Sequence, residues 1–412
     1  MEKGFLELIS PEQFRGVLAT FSRLTSETLP LEGCLGRYLA APVASREDLP
    51  ALPRSGMDGY AVRAADCFGT TETNPSYLDL AGELDITEVS TEELQPGTCV
   101  RVVTGSSLPP GADAVVMVEH TADLGGGTIE IRKPSAPGEN MMLAGEDAHA
   151  GQTALEPGIP LRPSEIAFLA ALGILEVPVG RRPVAAILST GDELIPPSAT
   201  PRPGQIRDAN APALAAMAMQ AGAEPLRMGI VPDSLEAIAA ALAEAVDKAD
   251  AVFLSGGSSV GVRDLTVEAL SLLPDTELLV HGLAVSPGKP TILARSRGKA
   301  VWGLPGQVAS AQVVMFVFGC PFLAHLAGDQ AAFTRPRPSV RAVLARNVAS
   351  RQGREDYVRV RLEESGDGGL KAHPLLGKSG LVKTLVQAQG LVRIPADLEG
   401  LEAGTTHQVV LL

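Results

Sequence analysis

Residues 251–264 read AVFLSGGSSVGVRD: an apolar run, a turn of glycine and serine, then the opening of a helix. No polar residue interrupts the run, so it suits a strand buried on both faces. Outward from it the pattern repeats. PVAAILS (183–189) and EPLRMGI (224–230) read as two more strands. ANAPALAAMAMQAG (209–222) reads as a helix ending at Gly222, and DSLEAIAAALAEAVDKA (233–249) as a helix capped by Asp233 or Ser234. A further helix is expected from Asp264. Strand and helix in alternation predict right-handed βαβ units and a parallel sheet over 181–328, covered on both faces. Ligands of such sheets sit beyond the carboxyl ends of the strands.

The loops at that end are STGDEL (189–194), GIVPDS (229–234), SGGSSVGVRD (255–264), SPGKP (286–290) and LPGQVAS (304–310). SGGSSVG lets backbone N–H groups approach a phosphate, because glycine has no side chain to block it. It matches neither common phosphate-loop fingerprint, and a plain tight turn reads equally well. Asp192, Glu193, Asp233 and Asp264 cluster at the same end. Mg²⁺ is held by one or two carboxylates plus substrate phosphates, so the cluster suits a metal-assisted phosphate reaction. For Asp233 and Asp264, ordinary helix capping is the competing reading.

Further out, PEQFRGVLATFSRL (11–24) places Phe14, Val17, Leu18, Phe21 and Leu24 near helical spacing after Ser10 and Pro11. From Glu47 to about Gly145, short apolar runs broken by Gly, Pro and Asn predict small β-rich structure inserted between helical segments. A helix returns at Pro163 with Ser164 as its expected N-cap. From Pro336 onward the period is near two, predicting a C-terminal β-domain. The expected division is 1–46 with 146–180 as a helical linker domain, 47–145 as the inserted β-rich domain, 181–328 as the α/β domain and 329–412 as the C-terminal β-domain.

The chain's 412 residues carry 34 basic and 48 acidic side chains, a net charge of −14. Nothing in that field draws it to nucleic acid or an anionic membrane, and an anionic small ligand needs a local cationic cluster. Apolar residues at 45% and charged residues at 20% exclude wholesale disorder. Cys34, Cys67, Cys99 and Cys320 form no C-x-x-C pair, so neither a zinc site nor a disulfide framework is indicated. Val308–Leu323 is the most apolar stretch, but Ser310, Gln312 and Pro321 interrupt it, and it reads as a buried core helix. With no secretory pattern in the opening MEKGFLELISPEQFRG, a cytoplasmic protein is expected.

Taken singly, M-D-G-Y, T-G-S-S and A-G-E-D are turn punctuation. In order, SGMDGYAVR (55–63), RVVTGSSLPPGADAVVMVE (101–119), AGED (144–147), LSTGDEL (188–194), GQIRDAN (204–210), FLSGGSSVGVRD (253–264), PGKP (287–290), GLPG (303–306), GRE (353–355) and GKSG (377–380) resemble the molybdopterin molybdenumtransferase family, the MoeA proteins, also represented by the carboxyl-terminal domain of gephyrin. The resemblance covers nearly the whole chain. It implies an α/β multidomain fold: a central MogA-like parallel-sheet domain, an inserted β-rich domain, an N-terminal helical linker domain and a C-terminal β-barrel-like domain, in a homodimer. It also implies insertion of molybdate into adenylated molybdopterin with Mg²⁺ and release of AMP, between transfer partners in the same synthesis and recipient molybdoenzymes. A divergent paralogue that only binds molybdopterin, or prefers another oxyanion, is the alternative.

Carried over residue by residue, the resemblance implies that Thr190, Asp192, Asp233, Gly256, Gly257, Ser258, Gly261 and Pro305 bind the adenylated pterin. Asp192, Glu193 and Asp264 are the implied metal ligands. Asp58, Thr104 and Asp147 join Glu193 and Asp264 as catalytic residues, the first three facing the α/β cleft of the other subunit. Lys289, Ser310, Arg354 and Ser379 would meet molybdate. The sequence departs from the family at Gly282 and Ser286, where basic residues are usual, and at Gln307 and Val308.

Overall fold

The computed structural model describes residues 8–256, 260–366 and 368–412, with the backbone alone at 260–264. Its central sheet has six strands in the order Glu224–Val231, Val184–Thr190, Ala251–Gly256, Lys299–Pro305, Ile292–Ser296, Thr276–His281. The first four are parallel. Their side chains alternate between two cores: Ala185, Ile187, Phe253 and Trp302 enter one, and Ala186, Leu188, Val252 and Val301 enter the other. Burial on both faces is why these runs carry no polar alternation.

The expected all-parallel sheet is corrected at one edge. Ile292–Ser296 and Thr276–His281 run antiparallel to their neighbours. The chain reverses at Arg297 and Gly298, with φ of 48° and 77°. Positive φ at both residues of a two-residue loop is the geometry whose twist matches a tight hairpin.

The helix Pro11–Ala19 packs into the α/β body. Ser10 and Gln13 form a reciprocal capping box. Phe14 meets Trp302 and Phe318 edge-on, at ring separations of 5.3 and 5.2 Å. The apolar stretch at 308–326 lies in the same core as three segments: a helix Val308–Val314, a π turn Met315–Gly319 and a helix Cys320–Leu326. Pro321 has no N–H to continue the ladder. The Arg337 guanidinium takes up the freed carbonyls, donating to Phe316 at 2.6 Å and Val317 at 3.2 Å.

Two helix starts differ from expectation. Arg162, not Ser164, is the N-cap of Pro163–Ala171, and its N–H is taken by the Glu165 carboxylate at 2.9 Å. Pro163 at the first helical position moves the cap two residues upstream. Ser234 caps Leu235–Lys248, which leaves Asp233 for other partners. The helix expected from Asp264 begins at Val260.

A smaller core of Leu31, Leu39, Leu161, Leu169, Val177 and Val179 joins segments before and after the inserted region. That region holds a separate six-stranded sheet. At the C-terminus, Glu355–Glu364, Leu370–Pro374, Ser339–Leu344, Thr406–Leu411 and Gly390–Ile394 pair in turn, and the last returns to the first. Closure of this five-stranded barrel removes its open edges. Val285–Ser286 of the α/β body adds in parallel to Glu355–Asp356, so the barrel is joined to the sheet domain by backbone.

Phe14→Ala should lower the unfolding free energy by about 3–5 kcal/mol, as expected for a large side chain truncated in a packed core. Phe68→Ala, at a residue 65% exposed, should change it little. Denaturant titration of both variants checks the assignment.

Candidate active site

The carboxyl ends of the parallel strands form a polar chain. Thr190 is buried, and its hydroxyl donates to Asp233 Oδ1 at 2.6 Å. The Asp233 N–H donates to Asp192 Oδ1 at 3.1 Å. Gly256 ends the adjacent strand, where a Cβ would lie 2.2 Å from the Thr190 methyl; no other residue fits. Pro305 stands beside Gly256 in register. Thr190 and Gly256 open on a cleft of about 190 Å³ whose walls also include Glu193, Asn210, Gln307 and Gly380. Asn210 Nδ2 donates to the Gly306 carbonyl at 2.9 Å, tying the Gly204–Asn210 segment to the LPGQ loop.

Gly257 and Ser258 lie outside the described residues, as does the side chain of Asp264, and Gly261 is described by its backbone alone. Among the described residues no three metal-ligating side chains gather. Asp192 and Asp233 each have one oxygen engaged by the bonds above. Their second oxygens make no hydrogen bond or ion pair among the described residues. Two pre-oriented carboxylates with a free oxygen each, beside Glu193, fit a hard cation that also takes substrate phosphates.

The segments that carry the oxyanion candidates run along the seam with the barrel. The Ala309 N–H donates to the Ser379 carbonyl at 3.0 Å, which lays GKSG across the start of the helix carrying Ser310. Ser310 is buried, Ser379 half-buried and Lys289 exposed. The loop bearing Lys289 packs on that helix: at Gly288, φ is +126° and a Cβ would sit 2.5 Å from a Val314 methyl. Arg354 is drawn to Asp356, with Nε 2.9 Å from Oδ1 and Nη2 donating to Oδ2 at 3.2 Å. Arg359 was not singled out from the sequence. It is 7% exposed, donates to Thr384 Oγ1 at 2.8 Å and to the Gly377 carbonyl at 3.3 Å, and meets no carboxylate among the described residues. Burial lowers its pKa from the usual guanidinium value. Its sequence signal is slight, because DYVRVRL reads as an alternating strand with both arginines outward.

Asp58 and Thr104 come together on the inserted domain. The Thr104 N–H and hydroxyl both donate to Asp58 Oδ1 at 2.7 Å. Those bonds, the backbone one first, hold the Asp58 carboxyl below its usual pKa. Asp147 is exposed on the neighbouring loop, its N–H on the Leu49 carbonyl. Arg54 Nη1 donates to the Gly105 carbonyl at 2.9 Å, so its charge stays with the inserted domain. Among the described residues, no hydrogen bond or ion pair joins Asp58, Thr104 or Asp147 to the strand ends of the α/β body.

Three family models match in chain order: "MoeA N-terminal region (domain I and II)" at residues 9–173, "Probable molybdopterin binding domain" at 186–325 and "MoeA C-terminal region (domain IV)" at 341–412. Fold and cleft therefore define an enzyme of molybdenum cofactor biosynthesis. The chain is 34% identical to the molybdopterin molybdenumtransferase of Bacillus subtilis over 391 residues, covering 94% of this chain and 90% of that one. It is also 34% identical to molybdopterin molybdenumtransferase 2 of Mycobacterium tuberculosis, covering 93% and 94%. The crystal structure of the molybdopterin biosynthesis moeA protein from Pyrococcus horikoshii OT3 superposes with a TM-score of 0.80 at 29% identity, covering 98% of this chain and 100% of that one. The chain belongs to the molybdopterin molybdenumtransferase family.

Removing the Thr104 hydroxyl by Thr104→Val should raise the Asp58 pKa part of the way to its ordinary value, because the larger backbone bond remains. The folded pKa is depressed, so the stabilisation exists above the unfolded carboxylate pKa and is lost as pH falls through the folded value. A carboxyl-carbon NMR titration reads the shift; an unchanged Asp58 pKa would contradict the pairing.

Proposed function

We propose that this chain inserts molybdate into adenylated molybdopterin and releases AMP. What supports the reading is that one cleft is lined by Thr190, Glu193 and Gly256 at the strand ends and by Gln307, Val308 and Gly380 at the seam with the barrel. The Thr190–Asp233–Asp192 chain stands at the strand ends. The Ser379–Ala309 bond brings the barrel loop to the other margin. Thr190, Asp233, Gly256 and Pro305, with Gly257, Ser258 and Gly261, bind and orient the adenylated pterin. Lys289, Ser310 and Ser379 hold molybdate through a cation and hydroxyl groups, the donors a tetrahedral dianion needs. Arg359 takes the cationic role there in place of Arg354, whose charge Asp356 already engages.

Asp192, Glu193 and Asp264 would hold Mg²⁺, which when bound neutralises charge developing on the phosphoanhydride. Glu193 also orients water toward the link that breaks, and the AMP phosphate leaves toward the strand ends. Asp58, Thr104 and Asp147 complete the cleft of a second copy in a homodimer: within one chain Asp58 and Thr104 bond to each other on the inserted domain and Asp147 lies just past its end, none of them bonded to the strand ends among the described residues. The separate sheets support a division into 47–145, 181–328 and 329–412, with 1–46 and 146–180 as a fourth domain whose Pro11–Ala19 helix shares the α/β core. The chain works in the cytoplasm between an enzyme that adenylates the pterin and molybdoenzymes that receive the product.

AMP release from adenylated molybdopterin with Mg²⁺ and molybdate tests the reading. Glu193→Gln and Asp264→Asn should each keep the fold and lose roughly 10²–10³ in rate, the scale of one transition-state electrostatic contact. Normal turnover with unchanged Mg²⁺ dependence in both would remove the metal-site assignment. Mixing Asp58→Asn with Asp264→Asn chains, each nearly inactive alone, should restore about a quarter of wild-type activity through the one intact cleft of each mixed dimer. No recovery after subunit exchange would contradict a shared cleft.

A further inference from the structure

Away from the cleft, the Pro11–Ala19 helix, the Val308–Leu326 segment and the barrel enclose a cavity of about 210 Å³. Four guanidinium groups line it: Arg15, Arg335, Arg337 and Arg393. Among the described residues, two carboxylates answer them. Arg335 pairs with the buried Asp329 at 2.7 Å, and Arg393 with Glu355 at 3.2 Å. Among the described residues, Arg15 and Arg337 meet no carboxylate within ion-pair distance; Arg337 instead donates to the Phe316 and Val317 carbonyls. Four cations less two anions leaves two positive charges in one small space, on a chain whose net charge is −14.

Apolar and aromatic walls complete the cavity. Phe316 lies under Arg337 at 4.3 Å from its centroid, and Phe333, Tyr357 and Leu391 face the same space. Tyr357 spends its hydroxyl on Glu355 at 2.7 Å, so its ring presents an apolar surface. Burial lowers the Arg337 pKa from the usual guanidinium value, a sign that its charge is poorly solvated. Desolvated, uncompensated guanidinium beside aromatic faces is the recognition chemistry of an anion with a planar apolar body. The volume is below that of a drug-sized pocket and suits a single ring.

We propose that this cavity is a second ligand site, which takes a small aromatic anion, a phosphate ester or a carboxylate, with its charged group between Arg15 and Arg337 and its ring against Phe316 and Phe333. It is separate from the cleft, since none of its walls is a residue assigned to pterin, metal or molybdate.

Calorimetric titration of the full chain with phenyl phosphate and with benzoate tests it, with benzyl alcohol and inorganic phosphate as the ring and the charge alone. At least one aromatic anion should bind saturably, and both partial probes should bind much more weakly. Arg15→Gln should weaken the aromatic anion by roughly tenfold, the loss of one charge-assisted contact. Arg337→Gln, which keeps an N–H donor for the helix carbonyls, should do the same, while Glu193→Gln should leave binding unchanged. No saturable binding of either aromatic anion up to about 10 mM would overturn the proposal. So would equal affinity in wild type and both arginine variants, or weakening by Glu193→Gln alone.

Discussion

Two backbone contacts fix the barrel against the α/β body, and the proposed oxyanion site depends on both. Val285–Ser286 pairs in parallel with Glu355–Asp356, and the Ala309 N–H meets the Ser379 carbonyl at 3.0 Å. The first joins the loop that leads to Lys289 to the strand that carries Arg359. The second lays GKSG over the start of the helix that carries Ser310. Side-chain contacts at a domain boundary slide easily, whereas strand pairing fixes register to the residue. The segments proposed to meet an oxyanion lie far apart in sequence, and these contacts bring their backbones to one seam.

Charge makes that margin unusual. The chain carries a net −14, so a dianion approaches against the overall field and must be drawn in locally. Arg354 contributes little free charge while Asp356 holds it. Arg359 is the opposite case, a buried guanidinium whose partners among the described residues are a threonine hydroxyl and a carbonyl. Burying a cation without a counter-charge is costly, and an anion arriving at the Ser379 loop relieves that cost. This gives a physical answer to the missing basic residues at Gly282 and Ser286. Ser286 lies in register with Asp356, so a cation there would share that carboxylate with Arg354.

The α/β body was largely legible in the sequence, because doubly buried strands and amphipathic helices write their burial into local spacing. The strand ends were legible for the same reason: strands stop at Thr190 within STGDEL and at Gly256. Long-range pairing was not. The antiparallel edge depends on a turn at Arg297–Gly298 that lacks the usual Asn-Gly signal, and barrel closure joins 355–364 to 390–394 through contacts no local window contains. Asp233 could not be separated from Ser234 as a cap until the structure showed its carboxylate on Thr190. Arg354 and Arg359 differ in role only through what surrounds them, an aspartate for one and a loop carbonyl for the other.

The central claim is that the oxyanion site is built at the seam, around Arg359 and the Ser379 loop. Titrating molybdate at fixed adenylated molybdopterin and Mg²⁺, with AMP release as the readout, tests it most directly on wild type, Arg359→Gln and Arg354→Gln. Loss of one charged hydrogen bond is worth about 1.5–3 kcal/mol, so Arg359→Gln should raise the molybdate needed for half-maximal release by roughly tenfold or more, with little change in the pterin requirement. Arg354→Gln should have a much smaller effect. An unchanged molybdate requirement in Arg359→Gln, or AMP release that does not depend on molybdate at all, would contradict the account.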